Sequence, residues 1–431
     1  MNPVHIIAAK RSAIGRFGGG LKSLSAADLA SAIAKAVVAE NLHQHIVAGS
    51  AAVPCGPREA VVAENLRPHI VTGSAAVPCG SRDAMLAENL RQHIGQIILG
   101  QVLQAGSGMN VARQVGLKLG IPQHVPAFTV NMACGSSLKA TALAASAIAS
   151  GENDLVLAGG VECMSRAPHY ATDLRWGKKL GDAAMLDAIL VDGLTDPSLK
   201  IGMGETAERI ADKHGITRAE QDAFAAQSQS RAAASRDHFA REIVAVTGRD
   251  GMITMDEHPR ADTTLGSLAK LTPAFRKDGT VTAGNASGIN DGAAMVLLAS
   301  DAAMQQHKLQ SRARIVATGA VGCDPALMGL GPVAAIRKLC DITGWNLGDV
   351  DAIEINEAFA AQTLGCVREL GLDMEKLNQR GGAIALGHPI GASGARVLVT
   401  LLHLMEDKNY RRGIASLCIG GGMGIAMAIE R

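Results

Sequence analysis

Short, apolar, β-prone runs alternate with Ala-rich helical stretches along most of the chain. The runs are Val4–Ala9, Gln96–Leu103, Ala127–Asn131, Asp154–Gly159, Arg314–Ala320, Ala352–Asn356 and Ile414–Ile419; between them lie Leu138–Ser150, Ala334–Leu339, Ala358–Leu370 and Ser393–Met405. Apolar runs bracketed by helices predict buried parallel strands joined by right-handed crossovers, with helices on both faces of the sheet. A length of 431 residues accommodates two or three such cores. Only 2% of residues are aromatic, so those cores must be built from Ala, Val, Ile, Leu and Met.

The chain also resembles itself. Gln96–Gly120 reads like Asp351–Gly371, as strand, loop and a helix ending near Leu-Gly. Asn131–Glu162 reads like Asn378–Gly422, as loop, Gly/Ser-rich helix start, helix and a strand ending in glycines. Two related α/β halves follow, an N-terminal one over about 1–164 (completed by about 284–310) and a C-terminal one over 311–431. The more polar stretch 165–283, with Arg175-Trp176-Gly177-Lys178-Lys179 and a helical pattern over Glu205–Arg241, is expected to be a domain looping out of the first half. A second, local repetition differs in kind. Ala36–Glu59 is nearly repeated by Ala60–Asp83, a period of 24, and a fragment restarts at Ala84. Two copies and a fragment are too few to stack into a solenoid. This predicts a tandem-duplicated insertion at about 36–83, joining a helix to the strand near Ile94–Gly100.

A net charge of +1 provides no field to draw the chain to nucleic acid or an anionic membrane. No run of about twenty apolar residues is present, which argues against a membrane-spanning helix. The opening Met1–Ile7 enters a strand directly, without the basic and long apolar regions of a secretory signal and without the Arg/Ser richness of a transit peptide. Eight cysteines are scattered without CxxC pairs or Cys/His zinc spacing, which points to reduced thiols in a cytoplasmic protein and to no metal site.

Four segments carry chemistry. NMACGSSLKA (131–140) places Cys134 where a strand gives way to a helix; unpaired N–H groups at a helix start favour a thiolate. A buried structural cysteine is the competing reading of that residue taken alone. GHPIGASG (387–394) holds His388 on a rigid Gly/Pro loop, fit to take a thiol proton rather than to pack, although a surface loop histidine would look the same. CIGGGMG (418–424) ends a strand with Cys418, an acid or base, and with glycines whose N–H groups can face an oxyanion. A dinucleotide-binding loop is excluded there because no helix follows. NEAFAAQ (356–362) sets Asn356 at a strand end, where parallel sheets collect ligands.

Together with GGAIALGHPIGASGAR (381–396), these blocks closely resemble the signature segments of the thiolase family, in the family's order. AKRSAIGRFGG (9–19), ILGQVLQAGSGMNVARQ (98–114), GGVECMSRAPH (159–169) and TAGNASGINDGAA (282–294) match as well, leaving only about 36–93 unlike the family. The resemblance implies a thiolase-like α/β fold, with two related halves of mixed five-stranded sheets covered by helices, plus a CoA-binding loop domain. It implies that Cys134 is acylated while His388 takes its proton, and that Cys418 moves the α-proton of a second acyl-CoA. His388 and a water held by Asn356 would stabilise the enolate, and the N–H groups of Cys134 and Gly420 the thioester oxyanion. It places Arg260 near the CoA phosphates, Ser267 and Ser287 near the pantetheine, and Met203 in the acyl pocket. CoA, acetyl-CoA and acetoacetyl-CoA would come and go as substrates, with no tightly bound cofactor, in a homotetramer built as a dimer of dimers. CGSSLKA and APHYATDLRWGKKLGD, similar to the subgroup's tetramerisation loop, resemble biosynthetic acetyl-CoA acetyltransferases. Ile201-Gly202-Met203-Gly204 departs from that subgroup, which commonly has Tyr-His-Met-Gly. The competing readings are a degradative 3-ketoacyl-CoA thiolase and a thiolase-like CoA- or lipid-binding protein without turnover.

Overall fold

A computed structural model describes residues 2–47 and 87–431, with 41–47 as backbone only. Its central feature is one continuous sheet with strand order Ala352–Ile355, Arg412–Ile419, Met423–Glu430, Ala313–Gly322, Val4–Ser12, Asn290–Ser300, Leu155–Cys163, Gln96–Gly100 and Ala127–Val130. The middle joint is narrow. Val4–Ser12 and Ala313–Gly322 pair only at His5–Arg314 and Ile6–Ala313, so the sheet is two sheets touching at a corner.

Each half repeats the same pattern. In the N-terminal half Gln96–Gly100 runs parallel to both Ala127–Val130 and Leu155–Cys163, and Asn290–Ser300 is antiparallel between Leu155–Cys163 and Val4–Ser12. In the C-terminal half Ala352–Ile355 runs parallel to Arg412–Ile419, and Met423–Glu430 is antiparallel between Arg412–Ile419 and Ala313–Gly322. Leu377, bridged in parallel to Ile353, stands where the fifth strand would lie. The sheets are therefore mixed. The alternation of runs and helices alone implied parallel strands throughout, but buried strands are apolar whichever way they point, so direction is invisible in their composition.

Two helices, Ser136–Ala149 and Ser393–Lys408, lie between the sheets. Leu138, Ala144, Ile148, Val397, Leu401 and Leu404 form one core with Val156, Val296, Leu417 and Met427 from the two sheets. A helix covered by sheets on both sides is apolar all round, and small residues let the layers close around it. On the outer faces, Ala26–Val47 and Val111–Leu119 cover the N-terminal sheet, and Gly331–Thr343 and Ala360–Leu370 cover the C-terminal one.

The helical pattern expected over Glu205–Arg241 resolves into Met203–His214, Arg218–Ala234 and Arg236–Glu242. The first two lie against the C-terminal half, where the Ser228 hydroxyl donates to Glu357 Oε2 at 2.6 Å, and the third touches both halves, with Glu242 Oε1 accepting from Arg11 Nε at 2.7 Å and from the Thr400 hydroxyl at 3.2 Å. The insertion expected at 36–83 lies mostly outside the described residues. Its start, 36–47, continues the helix Ala26–Val47, and 87–93 is helical again before the strand at Gln96. No helix among the described residues is long and apolar enough to cross a membrane.

Candidate active site

Both central helices start at the same place, and each is preceded by one of the chemistry-bearing loops. Ahead of Ser136–Ala149 the chain makes a tight turn with Ala133 at φ 42°, a left-handed conformation costly for a residue with a Cβ. Three bonds hold it: Ala133 N–H to Asn131 Oδ1 (3.0 Å), Met132 N–H to Ser136 Oγ (2.9 Å) and the Ser136 hydroxyl to Ala133 O (2.7 Å). That turn presents Cys134. Gly135 next to it packs tightly, since a Cβ there would stand 2.4 Å from Ile419 Cδ1 and force that side chain to shift. The absence of a side chain lets the Cys134 loop meet the strand that ends in Cys418.

Cys134 keeps part of its surface open, yet its side chain packs against a cluster of Val102, Leu103, Met164 and Ile390. Burial pushes its thiol up to about 11, against the lowering influence of the Gly420 and Cys134 backbone, with the Glu162 carboxylate adding to the rise. This corrects the expectation of a thiolate favoured by the helix start: desolvation outweighs the helix end. Cys418 is 1% exposed, and burial, then the neighbouring Cys134, hold its thiol well above the ordinary range.

His388 is 6% exposed. Its Nδ1 lies 2.6 Å from Ser393 Oγ, whose single proton is donated to Pro389 O at 3.0 Å. With the Ser393 proton on Pro389 O, Nδ1 carries the ring proton and the Nε2 lone pair is free to accept one. Burial, then the nearby Arg396 guanidinium, lower its pKa to about 3, so the ring is neutral across the physiological range. Asn356, fully buried, brings Nδ2 to 3.4 and 3.5 Å from the two ring nitrogens, and its Oδ1 lies 3.4 Å from Arg396 Nη2. These are adjacencies at the outer limit of hydrogen bonding.

The structure thus gathers Cys134, Gly420 and Cys418 at one point and pairs His388 with Asn356, all at the ends of strands or the starts of the central helices. Met203 joins the cysteine group: its sulfur lies 3.2 Å from where a Cβ of Gly420 would stand, and it packs against the cluster holding Cys418. Ser287 donates its N–H to Ala358 O at 3.0 Å, within the Asn356 segment. Arg260 is exposed, with its N–H on Gln229 Oε1. Ser267 is exposed too, and its Oγ accepts the Thr264 N–H at 3.0 Å in the capping box of the short helix Leu265–Ala269. Three residues not singled out from sequence prove central: Ser393, which fixes the His388 tautomer, Asn290, whose Oδ1 accepts from His388 N–H at 3.0 Å, and Glu162.

Two family models match the chain, "Thiolase, N-terminal domain" over residues 84–302 and "Thiolase, C-terminal domain" over 309–431. The chain belongs to the thiolase family. An acetyl-CoA acetyltransferase of Chromobacterium violaceum is 46% identical over 435 residues, 99% of each chain. One from Pseudomonas aeruginosa is 53% identical over 345 residues, 78% of this chain and 88% of the relative. Human mitochondrial 3-ketoacyl-CoA thiolase, solved also in complex with CoA, superposes with a TM-score of 0.87 at 39% identity, covering 100% of this chain and 98% of that one. The fold expected from the signature segments is the one found, and the chain is an acyltransferase of this family.

A thiol held neutral at physiological pH makes a testable prediction for this thiolase. Alkylation of Cys134 by iodoacetamide should rise about tenfold per pH unit between pH 7 and pH 10, because the thiolate fraction grows that way below the pKa. A rate already level at pH 7 to 8 would mean a preformed thiolate–imidazolium pair instead. Peptide mass spectrometry with limiting reagent separates Cys134 from the other thiols.

Proposed function

We propose that this thiolase is an acetyl-CoA C-acetyltransferase, joining two acetyl-CoA into acetoacetyl-CoA and CoA, or running the reverse thiolysis, through an acyl-cysteine at position 134. The observation that carries the reading is the placement of Cys134 at the start of a central helix, with Gly135 packed against Ile419 on the strand that bears Cys418 and leads into Gly420. The N–H groups of Cys134 and Gly420 would hold the carbonyl oxygen of a thioester formed on Cys134, where charge develops as it is made and broken. Cys134 Sγ attacks the acetyl-CoA carbonyl while its proton passes to His388 Nε2. The carbon–sulfur bond to CoA breaks, and the departing thiolate takes that proton.

Acylation changes what Cys418 faces. Its thiol is held up partly by the negative charge that Cys134 can carry, and an acylated sulfur can no longer ionise. Cys418 then ionises more readily, and as the thiolate it takes a proton from the methyl carbon of a second acetyl-CoA. The enolate oxygen is stabilised by His388 and by a water held on Asn356, and the carbanion attacks the acetyl group on Cys134. The new carbon–carbon bond forms as the sulfur leaves, and the proton on Cys418 passes to the Cys134 thiolate. Exposed Arg260 meets the CoA phosphates, Ser267 and Ser287 the pantetheine arm, and Met203 walls the acetyl site. CoA and its acyl thioesters act as substrates, and no tightly bound cofactor is invoked. The enzyme works in the cytoplasm as a homotetramer; Trp176 and Leu180, each 91% exposed on the segment that resembles the family's tetramerisation loop, support that assembly.

Position 202 favours one second reading, longer-chain thiolysis. A Cβ at Gly202 would meet only Leu194 O, at 3.9 Å, so the site lacks the bulk that the subgroup's His supplies. Thiolysis rates across four- to sixteen-carbon 3-ketoacyl-CoAs decide between them. We expect kcat/KM to peak at four carbons and fall at least about tenfold by eight. A maximum at eight or more carbons would establish the degradative activity, and no turnover at any length would leave a binding protein.

A further inference from the structure

The loop carrying His388 belongs to the C-terminal half, yet the side chains fixing its backbone come from the N-terminal half. Asn290 Oδ1 takes the His388 N–H (3.0 Å), Ser137 Oγ the Ala395 N–H (2.9 Å) and Glu162 Oε2 the Gly391 N–H (2.9 Å). Glu162 does more than its neighbours. The same Oε2 accepts from Val102 N–H at 3.0 Å and Oε1 from Leu103 N–H at 3.2 Å. Val102, Leu103 and Ile390 belong to the cluster that packs on Cys134. One carboxylate thus ties the wall beside the nucleophile to the loop beside the base.

The arrangement is a costly one. Glu162 is fully buried, and its described partners are all backbone N–H groups. Burial, with Asp291 adding a like charge, raises its pKa to about 7. A buried carboxylate without a cation is retained only where its hydrogen bonds matter. Gly391 is fitted to it, since a Cβ at 391 would stand 2.6 Å from Glu162 Oε2 and 2.9 Å from Val161 O.

We propose that Glu162 is a positioning residue for the thiolase reaction: by holding Gly391, Val102 and Leu103 together it sets His388 Nε2 at the distance from Cys134 that proton transfer needs. The proposal rests on His388 as the base that serves Cys134. Glu162→Gln is nearly isosteric, but its amide oxygen can serve only the two N–H groups on Oε2, and its NH2 then faces a third N–H, donor against donor. The variant should bind CoA and melt like the wild type, hold KM within about twofold, and lose kcat by about tenfold to a hundredfold. If the variant does not accumulate as folded protein, Gly391→Ala tests the same contact from the other side, with the same loss expected.

A double-mutant cycle separates positioning from a structural role. Rates of Cys134 acetylation by acetyl-CoA, the step in which His388 takes the thiol proton, are compared for the wild type and Glu162→Gln, each with His388 present and with His388→Ala. The Glu162→Gln substitution should slow acetylation only where His388 is present. Equal ratios in the two backgrounds, or an unchanged kcat in Glu162→Gln, would overturn the proposal. If His388→Ala itself keeps full activity, the assignment of the base fails instead, and the two failures are told apart.

Discussion

Cys134→Ala is expected to lower thiolysis and condensation alike by roughly 10⁴-fold or more, while CoA binding stays within about twofold. The effect is large because the sulfur is where the other parts converge. The strained Ala133 turn and the Gly135 approach to Ile419 both serve to present that one atom. Nothing else among the described residues offers a thiol in that place, since Cys418 lies fully buried behind it. Steady-state rates in both directions, with CoA affinity by calorimetry, check the outcome. A variant retaining a tenth of wild-type activity would place the covalent step elsewhere.

Cys418→Ser has the next largest expected effect, and a more selective one. Condensation should fall by about 10²- to 10⁴-fold, the range a positioned acid or base contributes. A hydroxyl at this buried position is far harder to ionise than a thiol, so the form that can take up the α-proton is scarcely populated. Exchange of the acetyl group between Cys134 and free CoA needs no α-proton and should drop by less than about tenfold. Isotope exchange between labelled CoA and acetyl-CoA, measured beside condensation, tests the split. Equal loss in both would show that the two cysteines act as one unit.

The parts legible in the sequence are those carried by local chemistry. Glycines flanking Cys134, His388 and Cys418 marked loops where backbones approach closely, and the order of the four segments identified the family. The repeated halves were readable too, because strand, loop and helix recur with the same punctuation. What sequence did not reveal depends on three-dimensional register. Glu162 lies inside a fully buried strand and reads as an anomaly in an apolar run; only the fold shows it meeting Gly391 from the other half. Asn290 and Ser393 likewise act on a backbone and a ring remote from anything their neighbours in the chain suggest. The direction of Asn290–Ser300 and Met423–Glu430 was hidden because both are apolar on both faces. The expectation of a low thiol pKa failed for a quantitative reason. A helix start is visible in sequence, but the burial that outweighs it is not.

The most direct test of the acyl-cysteine account is to trap the intermediate. Wild-type enzyme is mixed with labelled acetyl-CoA in the absence of free CoA, quenched in acid and digested, and the label is located by peptide mass spectrometry. The account predicts an acetyl group on the peptide containing Cys134, removed on adding CoA and unformed in His388→Ala on the same timescale. Label on Cys418 or another residue, or condensation proceeding with no label on any cysteine, would contradict it.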